Sequence, residues 1–203
     1  MKNFLSLFKR SAQSLKELRT LATTGMLLAA AVALHFFGIQ VTADLRITFT
    51  FIPICIIAML YGPVVCSMAT FSLDIIGFIL DNKTARGYSP QLSLVVILSG
   101  LLYGIFLYRE EIKGSFIAMI ILAKTSVNLI CNIILNSYFI YTLYVNKSFS
   151  IFTPGSNNWS QFWVWITPRI IKNGILLPIE ITVLAIVLPL AMKAYKSIKK
   201  TAQ

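Results

Sequence analysis

Long apolar segments fill this sequence from Leu21 to Met192, and short polar or charged segments separate them. A transmembrane α-helix needs about 20 mostly apolar residues, and most of these segments reach or approach that length. Tyr61-Gly62-Pro63 divides two of them so tightly that an antiparallel helical hairpin is predicted there. The pattern predicts an all-α integral membrane protein with six transmembrane helices, at residues 20–39, 46–61, 63–81, 91–108, 114–145 and 163–192.

The apolar pattern also sets the expected domain organisation. Residues 1–19 are basic and amphipathic, with Phe4 and Phe8 among lysine and arginine residues, which favours a helix at the inner membrane surface. Residues 20–193 are predicted to form one membrane domain, and residues 194–203 a basic cytoplasmic tail. No polar segment is long enough for a separate soluble domain.

The positions of the charged residues predict how the helices are oriented in the membrane. Hydrophobic residues make up 57% of the chain and charged residues 12%, with a net charge of +11. In a soluble protein that charge would suggest nucleic acid, but here the lysines and arginines flank apolar segments, so we expect a lipid bilayer and no nucleic acid. Placing both termini in the cytoplasm puts most of them inside, which predicts an N-in, C-in topology.

Five ionisable residues interrupt the predicted spans, and each needs a partner or a ligand because a charge inside a membrane is costly. Their spacing forms two polar stripes. In the fifth span, Lys124, Asn128, Asn132 and Asn136 recur every four residues, and in the sixth Arg169, Asn173 and Glu180 share a face beside Lys172. The stripes are expected to face each other. One alternative is that the amides only hold helices together and that Glu180 pairs with Lys124.

Positive charge is left over after that pairing, because Arg169 and Lys172 lie in the predicted outer half with only Asp74 as a partner. An anionic ligand would balance them. Thr167-Pro168 also has the composition of a helix N-terminus, whose dipole would favour an anion. We therefore expect a binding site in the outer half, built from spans four to six and the external loops. The external aromatic residues are equally typical of a ligand cap and of an interfacial belt.

Small residues form a second surface, in the first span. Gly25, Ala29 and Ala33 recur at intervals of four and allow another helix to approach closely. This surface fits internal packing and docking to another membrane subunit equally well.

Catalytic motifs are missing from the sequence. It has no phosphate-binding G-x-x-x-x-G-K-[ST] loop, no G-x-S-x-G and no H-E-x-x-H. Its three cysteines lack metal-site spacing, and one histidine, His35, cannot support a multi-histidine centre. We expect no metal site, no cofactor and no enzymatic activity, and any active transport would draw energy from another subunit.

The chain resembles the substrate-binding S-components of energy-coupling factor (ECF) vitamin transporters, specifically the folate group. The resemblance covers nearly everything beyond residue 18. The segments that carry it are Leu45-Arg46-Ile47-Thr48-Phe49 with Phe51-Ile52-Pro53, Tyr61-Gly62-Pro63, Asp74 with Gly77, Ser99-Gly100 with Tyr103-Gly104, and Pro168-Arg169-Ile170-Ile171-Lys172-Asn173 with Pro178-Ile179-Glu180.

This resemblance implies a six-helix subunit of a bacterial plasma membrane. It would capture a vitamin outside and release it inside after docking to a membrane scaffold subunit driven by two ATPase subunits. The family's Ala-x-x-x-Ala docking motif matches Gly25 and Ala29, with Ala33 one step further and glycine in place of the first alanine.

Folate joins an aromatic pterin to a glutamate with two carboxylates, so it suits a pocket of aromatic faces, amides and cations. The resemblance then suggests three groups of ligand-binding residues. Asn128, Asn132 and Asp74 would read the pterin edge, Trp163, Tyr138 and Tyr88 would stack, and Arg46, Arg169 and Lys172, with Asn173 beside them, would meet carboxylates or acceptor atoms. The alternatives are an S-component for riboflavin, pantothenate or thiamin, or a structural membrane protein without a saturable ligand. Thiamin is disfavoured because a cation would need acidic groups.

Overall fold

A computed structural model of the chain describes residues 2–42, 45–80, 87–108, 116–145 and 159–201. It is helical apart from one short hairpin. The helices are α1 (Lys2–Ser14), α2 (Leu18–Phe36), α3 (Phe51–Leu80), α4 (Pro90–Leu107), α5 (Phe116–Val145) and α6 (Trp159–Thr201), and the strands are β1 (Ile39–Thr42) and β2 (Leu45–Ile47). The helical fold class is confirmed. Five of the described helices, α2 to α6, are long and apolar enough to cross a membrane.

Helix α3 contains two of the predicted spans, because the chain reverses inside it. Gly62 has φ 84° and ψ −169°, a conformation that costs glycine little because it has no Cβ. The Cys66 thiol lies 3.7 Å from the Ile54 carbonyl oxygen, whereas residues twelve apart in a straight helix are separated by about 18 Å. The predicted hairpin at this turn is therefore confirmed. The number of membrane crossings and the N-in, C-in orientation stay predictions.

The second arm of α3 packs against α4 at backbone distance. A Cβ added to Gly104 would overlap the backbone of Pro63, and one added to Gly100 would lie 2.5 Å from Thr70 Oγ1. Cys55, Met59 and Cys66 nearby are 0% exposed. Only glycine at these two positions of α4 allows so close a contact between the helices.

Helix α1 packs against the turn at Gly62 and forms hydrogen bonds to it. Ser11 is fully buried and donates its hydroxyl proton to Tyr61 O at 2.6 Å. The same oxygen accepts the backbone N–H groups of Val64 and Val65 at 3.0 and 3.3 Å. Ser11 thus acts as an N-cap for the second arm of α3, although it lies 50 residues earlier in the chain. The membrane-surface position of α1 stays a prediction.

The hairpin of β1 and β2 differs from the prediction that the second span begins at residue 46. The strands pair antiparallel, with Gln40 opposite Arg46. Isoleucine, valine and threonine dominate this segment and favour extended backbone, which explains why the helix begins only at Phe51. Arg46 therefore lies in a strand, and its side chain is outside the part of the chain that is described.

The last two helices depart from regular α geometry or from the predicted ends. In α5, Val127–Asn136 and Tyr141–Val145 are π-helical. Helix α6 runs from Trp159 through Pro168, Pro178 and Pro189 to Thr201, so residues 194–201 of the predicted tail are helical. The predicted helix N-terminus at Thr167-Pro168 is wrong, since the Thr167 hydroxyl donates to Trp163 O within the helix. Proline inside membrane helices is tolerated where such local contacts compensate for its missing N–H.

Candidate ligand-binding site

A cavity of about 380 Å³ opens between α3, α4, α5 and α6. Polar side chains from α5 and α6 dominate its wall, and a few apolar residues complete it. The lining residues are Thr48, Thr50, Phe51, Ile54, Ser99, Tyr103, Lys124, Val127, Asn132, Asn136, Arg169, Lys172, Asn173, Leu176 and Glu180. A concave site of this size with a few convergent polar groups is typical of small-molecule binding.

The two predicted polar stripes face each other across this cavity, as expected. Asn132 and Asn136 reach it from α5, and Arg169 and Asn173 reach it from α6. Asn128 lies behind the wall, where its side-chain amide donates to Asn173 O at 3.1 Å and ties the helices together. Asn128 is 3% exposed, and its Oδ1 has no hydrogen-bond partner. Asn128 therefore supports the contact between α5 and α6 and does not itself line the cavity.

Lys124 and Glu180 form an ion pair in the cavity wall. Lys124 Nζ lies 3.1 Å from Glu180 Oε2 and 3.2 Å from Tyr103 OH, and it sits 4.2 Å from the centre of the Phe51 ring. The Lys124 side chain is 5% exposed and that of Glu180 20% exposed. The predicted pairing is confirmed. Each group compensates the other, so this pair leaves no net charge in the wall.

The remaining charged side chains among the described lining residues are both positive. Arg169 is 6% exposed, and its guanidinium lies 4.3 Å from the centre of the Trp165 ring, a cation–π contact. Tyr141 packs against Trp165 with ring centres 5.3 Å apart and supports it from α5. Lys172 is half-buried one turn further along α6. By formal charge, Lys124, Arg169, Lys172 and Glu180 together give the cavity +2.

The structure brings together some of the predicted site residues and separates others. Asn132, Arg169, Lys172 and Asn173 line the cavity, and Asn128 touches its wall. Trp163 is 57% exposed on the far side of α6, because residues two apart on a helix point in nearly opposite directions. Tyr138 is half-buried beside Phe139 and lies outside both the cavity described above and the one formed around Asp74. The external segment 146–165 is the one predicted to form a ligand cap or an aromatic belt. Residues 146–158 lie outside the described part of the chain, and residues 159–165, which carry its large aromatic side chains, form the start of α6.

Asp74 and Tyr88 line a different cavity, of about 240 Å³, between α2, α3, α4 and α5. Asp74 Oδ2 accepts the Ser93 hydroxyl at 2.5 Å, and Ser93 Oγ lies 2.6 Å from Tyr88 OH. Asp74 forms no ion pair with any described residue, so an anionic ligand stays the predicted counter-charge for Arg169 and Lys172. Span three turns Asp74 toward α4 rather than toward α6.

Sequence reasoning missed part of the wall of the main cavity. Thr48, Thr50 and Phe51 follow the hairpin, while Ser99 and Tyr103 come from α4. The last two lie four residues apart, which places them on one helix face, and Tyr103 is a polar aromatic residue inside an apolar span. That spacing was a usable signal. The threonines lie in a segment that the pattern predicted as helix.

The small-residue surface of α2 is not used for packing within the described part of the chain. Gly25, Ala29 and Ala33 are exposed, and a Cβ added to Gly25 would meet nothing within 4 Å. Neighbouring Ala31 is 1% exposed and provides the internal contact instead. Of the two interpretations of this surface, internal packing is therefore disfavoured.

Comparison with known proteins identifies close relatives over most of the chain. The model of the family described as ECF transporter, substrate-specific component, matches residues 19–188. Folate transporter FolT of Leuconostoc mesenteroides subsp. mesenteroides is 30% identical over 159 residues, which cover 77% of this chain and 79% of that protein. Folate transporter FolT of Clostridium novyi (strain NT) is 24% identical over 159 residues, covering 78% and 81%.

A solved structure agrees with these relatives. The crystal structure of FolT bound with folic acid matches with a TM-score of 0.65 and 32% sequence identity, covering 82% of this chain and 90% of that one. The family match, the apolar helices and the structural similarity agree with one another. The chain belongs to the family of substrate-specific components of ECF transporters, multi-pass proteins of the bacterial plasma membrane.

Proposed function

We propose that this chain is the folate-binding subunit of an ECF transporter and that the cavity between α5 and α6 holds the vitamin. One observation carries the proposal: the formal charge of +2 on the described lining residues of the cavity matches the two carboxylates of folate. The relatives named as folate transporters and the folic-acid-bound FolT structure support the choice of ligand. Thiamin, a cation, would meet the wrong sign of charge.

The glutamate carboxylates of folate would meet Arg169 and Lys172. Both lie on the cavity side of α6, and the Trp165 ring under Arg169 helps to hold the guanidinium in place. Charge-assisted hydrogen bonds to carboxylates are about twice as strong as neutral ones. The amides of Asn132 and Asn173 would then serve the hydrogen-bonding edges of the ligand, and Asn128 would hold Asn173 in place through its backbone carbonyl.

We propose that energy comes from partner subunits. The exposed Gly25, Ala29 and Ala33 surface of α2 would dock to a membrane scaffold subunit, since small residues permit close helix contact. Two ATPase subunits would drive release, and the chain itself would hydrolyse no ATP. In this arrangement both termini face the cytoplasm, so the basic segments at the two ends lie on the side where ATP is hydrolysed.

The test is a fluorescence titration of the detergent-purified protein with folate, using tryptophan quenching, since Trp165 lies beside Arg169. Riboflavin, pantothenate and thiamin are titrated in parallel. Lys172→Gln removes one charge from the wall and is expected to weaken folate binding about 10- to 100-fold, the cost of a charge-assisted hydrogen bond. Lys196→Gln, on the exposed end of α6, is the matched control and is expected to bind as the unchanged protein does.

Each outcome distinguishes between the candidate functions. Saturable folate binding that Lys172→Gln weakens and Lys196→Gln does not would support the proposal. Saturable binding of another vitamin in place of folate would keep the transporter family and discard the ligand. Silence toward all four vitamins would favour a structural role for the polar stripes.

A further inference from the structure

The second cavity differs from the main one in the sign of its charge. It lies where α2, α3, α4 and α5 meet, and no residue lines both cavities. Among its described lining residues the acidic side chain is Asp74, accompanied by the imidazole of His35. A carboxylate in this wall would repel the anionic vitamins that suit the main cavity.

Asp74 itself is only partly satisfied. Its Oδ2 accepts the Ser93 hydroxyl at 2.5 Å, and no described residue supplies a counter-charge. Because the single Ser93 proton goes to Asp74, Tyr88 OH at 2.6 Å is left to donate to Ser93 and extends the chain of hydrogen bonds. Asp74 is half-buried within a membrane-crossing helix, where an ionisable group that lacks a counter-charge among the described residues indicates a functional site.

Aromatic rings surround the same cavity. Phe78 and Tyr88 pack edge to face with ring centres 5.2 Å apart, and they are 43% and 40% exposed. Tyr144 also lines this cavity and is held through a hydrogen bond between its hydroxyl and that of Ser89. Ring faces attract organic cations, and a carboxylate beside them supplies the opposite charge.

From this geometry we propose that the second cavity binds an organic ammonium group, with Asp74 as counter-ion and the rings of Phe78 and Tyr88 as its aromatic walls. The volume of about 240 Å³ equals that of about eight water molecules at roughly 30 Å³ each, so a small ammonium compound fits. A bare metal ion is disfavoured, because no three His, Cys, Asp or Glu side chains converge among the described residues. The proposal does not depend on folate being the ligand of the main cavity.

Calorimetric titration of the purified protein with choline tests this proposal. The neutral isostere 3,3-dimethylbutanol has the same shape without the charge and is expected to bind at least about tenfold more weakly. Asp74→Asn keeps the size of the side chain and is expected to weaken choline binding at least about tenfold, whereas Asp74→Glu keeps the charge and restores it. Glu17→Gln removes an exposed carboxylate elsewhere and serves as the matched control.

Four results would overturn the proposal: equal binding of choline and its neutral isostere, undiminished choline binding by Asp74→Asn, no saturable choline binding, or displacement of choline from this cavity by folate. A loss of binding in Asp74→Asn counts only if the variant elutes as a single folded species, and rescue by Asp74→Glu provides the independent check.

The ammonium group has two natural sources, a free solute or the headgroup of a membrane lipid. Nanodiscs of phosphatidylglycerol and of phosphatidylethanolamine separate them, since only the second lipid carries an ammonium group. Weaker choline binding in phosphatidylethanolamine would identify a lipid headgroup as the occupant. Equal binding in both would identify a free solute, and either result is consistent with the proposed chemistry.

Discussion

Two helix contacts in this protein differ in their chemistry. Helices α3 and α4 pack mainly through glycines and apolar side chains, whereas α5 and α6 meet through polar and charged side chains. The first is built from glycines and apolar side chains, and the backbone at Gly104 touches Pro63. Its hydroxyl groups, such as those of Ser67 and Thr70, donate to carbonyls of their own helix. The second buries Lys124, Asn128 and Arg169 and encloses a polar cavity.

This difference shows how the fold accommodates a polar site inside a membrane. Close packing around Gly100 and Gly104 stabilises the first contact, and this stability offsets the desolvation cost of the charges buried in the second. The π-helical stretch of α5, Val127–Asn136, coincides with the stripe of asparagines. Such stretches are frequent at functional sites. The packed side is therefore expected to determine folding, and the polar side ligand binding.

The largest effect is expected from Gly104→Val, which places a branched side chain into the Pro63 backbone. The helices must separate, and we expect a loss above about 4 kcal/mol, seen as little folded protein after purification. Gly174→Ala is the matched control, because its added Cβ meets nothing within 4 Å and alanine favours helix. Normal yield of Gly104→Val would show that the packed side tolerates separation.

The next effect concerns the ion pair of the polar side. Lys124→Met leaves Glu180 without its cation and is expected to cost about 3–5 kcal/mol of stability, measured by thermal unfolding in detergent. The double variant Lys124→Met with Glu180→Leu removes both charges and should recover most of that loss. If the double variant is no more stable than the single one, the pair is not the source of the effect.

A smaller effect is expected at the turn in α3. Ser11→Ala removes the hydroxyl that serves Tyr61 O and the N–H groups of Val64 and Val65. Loss of such a cap costs about 1–2 kcal/mol, so the unfolding midpoint should fall while folate affinity stays unchanged. Ser160→Ala, at an exposed position of α6, provides the control. A changed folate affinity in Ser11→Ala would show that the turn in α3 influences the cavity between α5 and α6, contrary to this prediction.

The smallest effect is expected from Trp165→Leu, which removes the ring beneath Arg169. A cation–π contact contributes about 0.5–1 kcal/mol, so folate affinity should fall about two- to fivefold, with little change in stability. The titration is followed by calorimetry, because the variant lacks the relevant tryptophan. Trp163→Leu, on the exposed side of the same helix, should leave affinity unchanged.

Much of this arrangement was predictable from local patterns in the sequence. The length of the apolar segments predicted the helices, and Gly62 before Pro63 predicted the turn. The four-residue spacing that relates Lys124, Asn132 and Asn136 predicted one wall of the cavity. These features depend on residues near each other in the chain. The pairing of Lys124 with Glu180 followed because a buried charge requires an opposite one.

The remainder depends on contacts between distant segments. Nothing near Ser11 indicates that it caps a helix 50 residues later. Asp74 was grouped with Arg169 by charge, but the rotation of α3 turns it toward Ser93 instead. Trp163 and Trp165 are tryptophans two residues apart, and the sequence does not distinguish them. Only the orientation of each side chain around α6 shows that Trp165 contacts Arg169.

Cysteine labelling tests most directly whether the cavity between α5 and α6 holds the vitamin. Asn136→Cys places a thiol in its wall and Tyr88→Cys places one in the second cavity, while the native Cys55, Cys66 and Cys131 are at most 1% exposed. Saturating folate is expected to slow labelling of Asn136→Cys at least about tenfold and to leave Tyr88→Cys unchanged. Unchanged labelling at Asn136→Cys, or protection at Tyr88→Cys alone, would contradict the account.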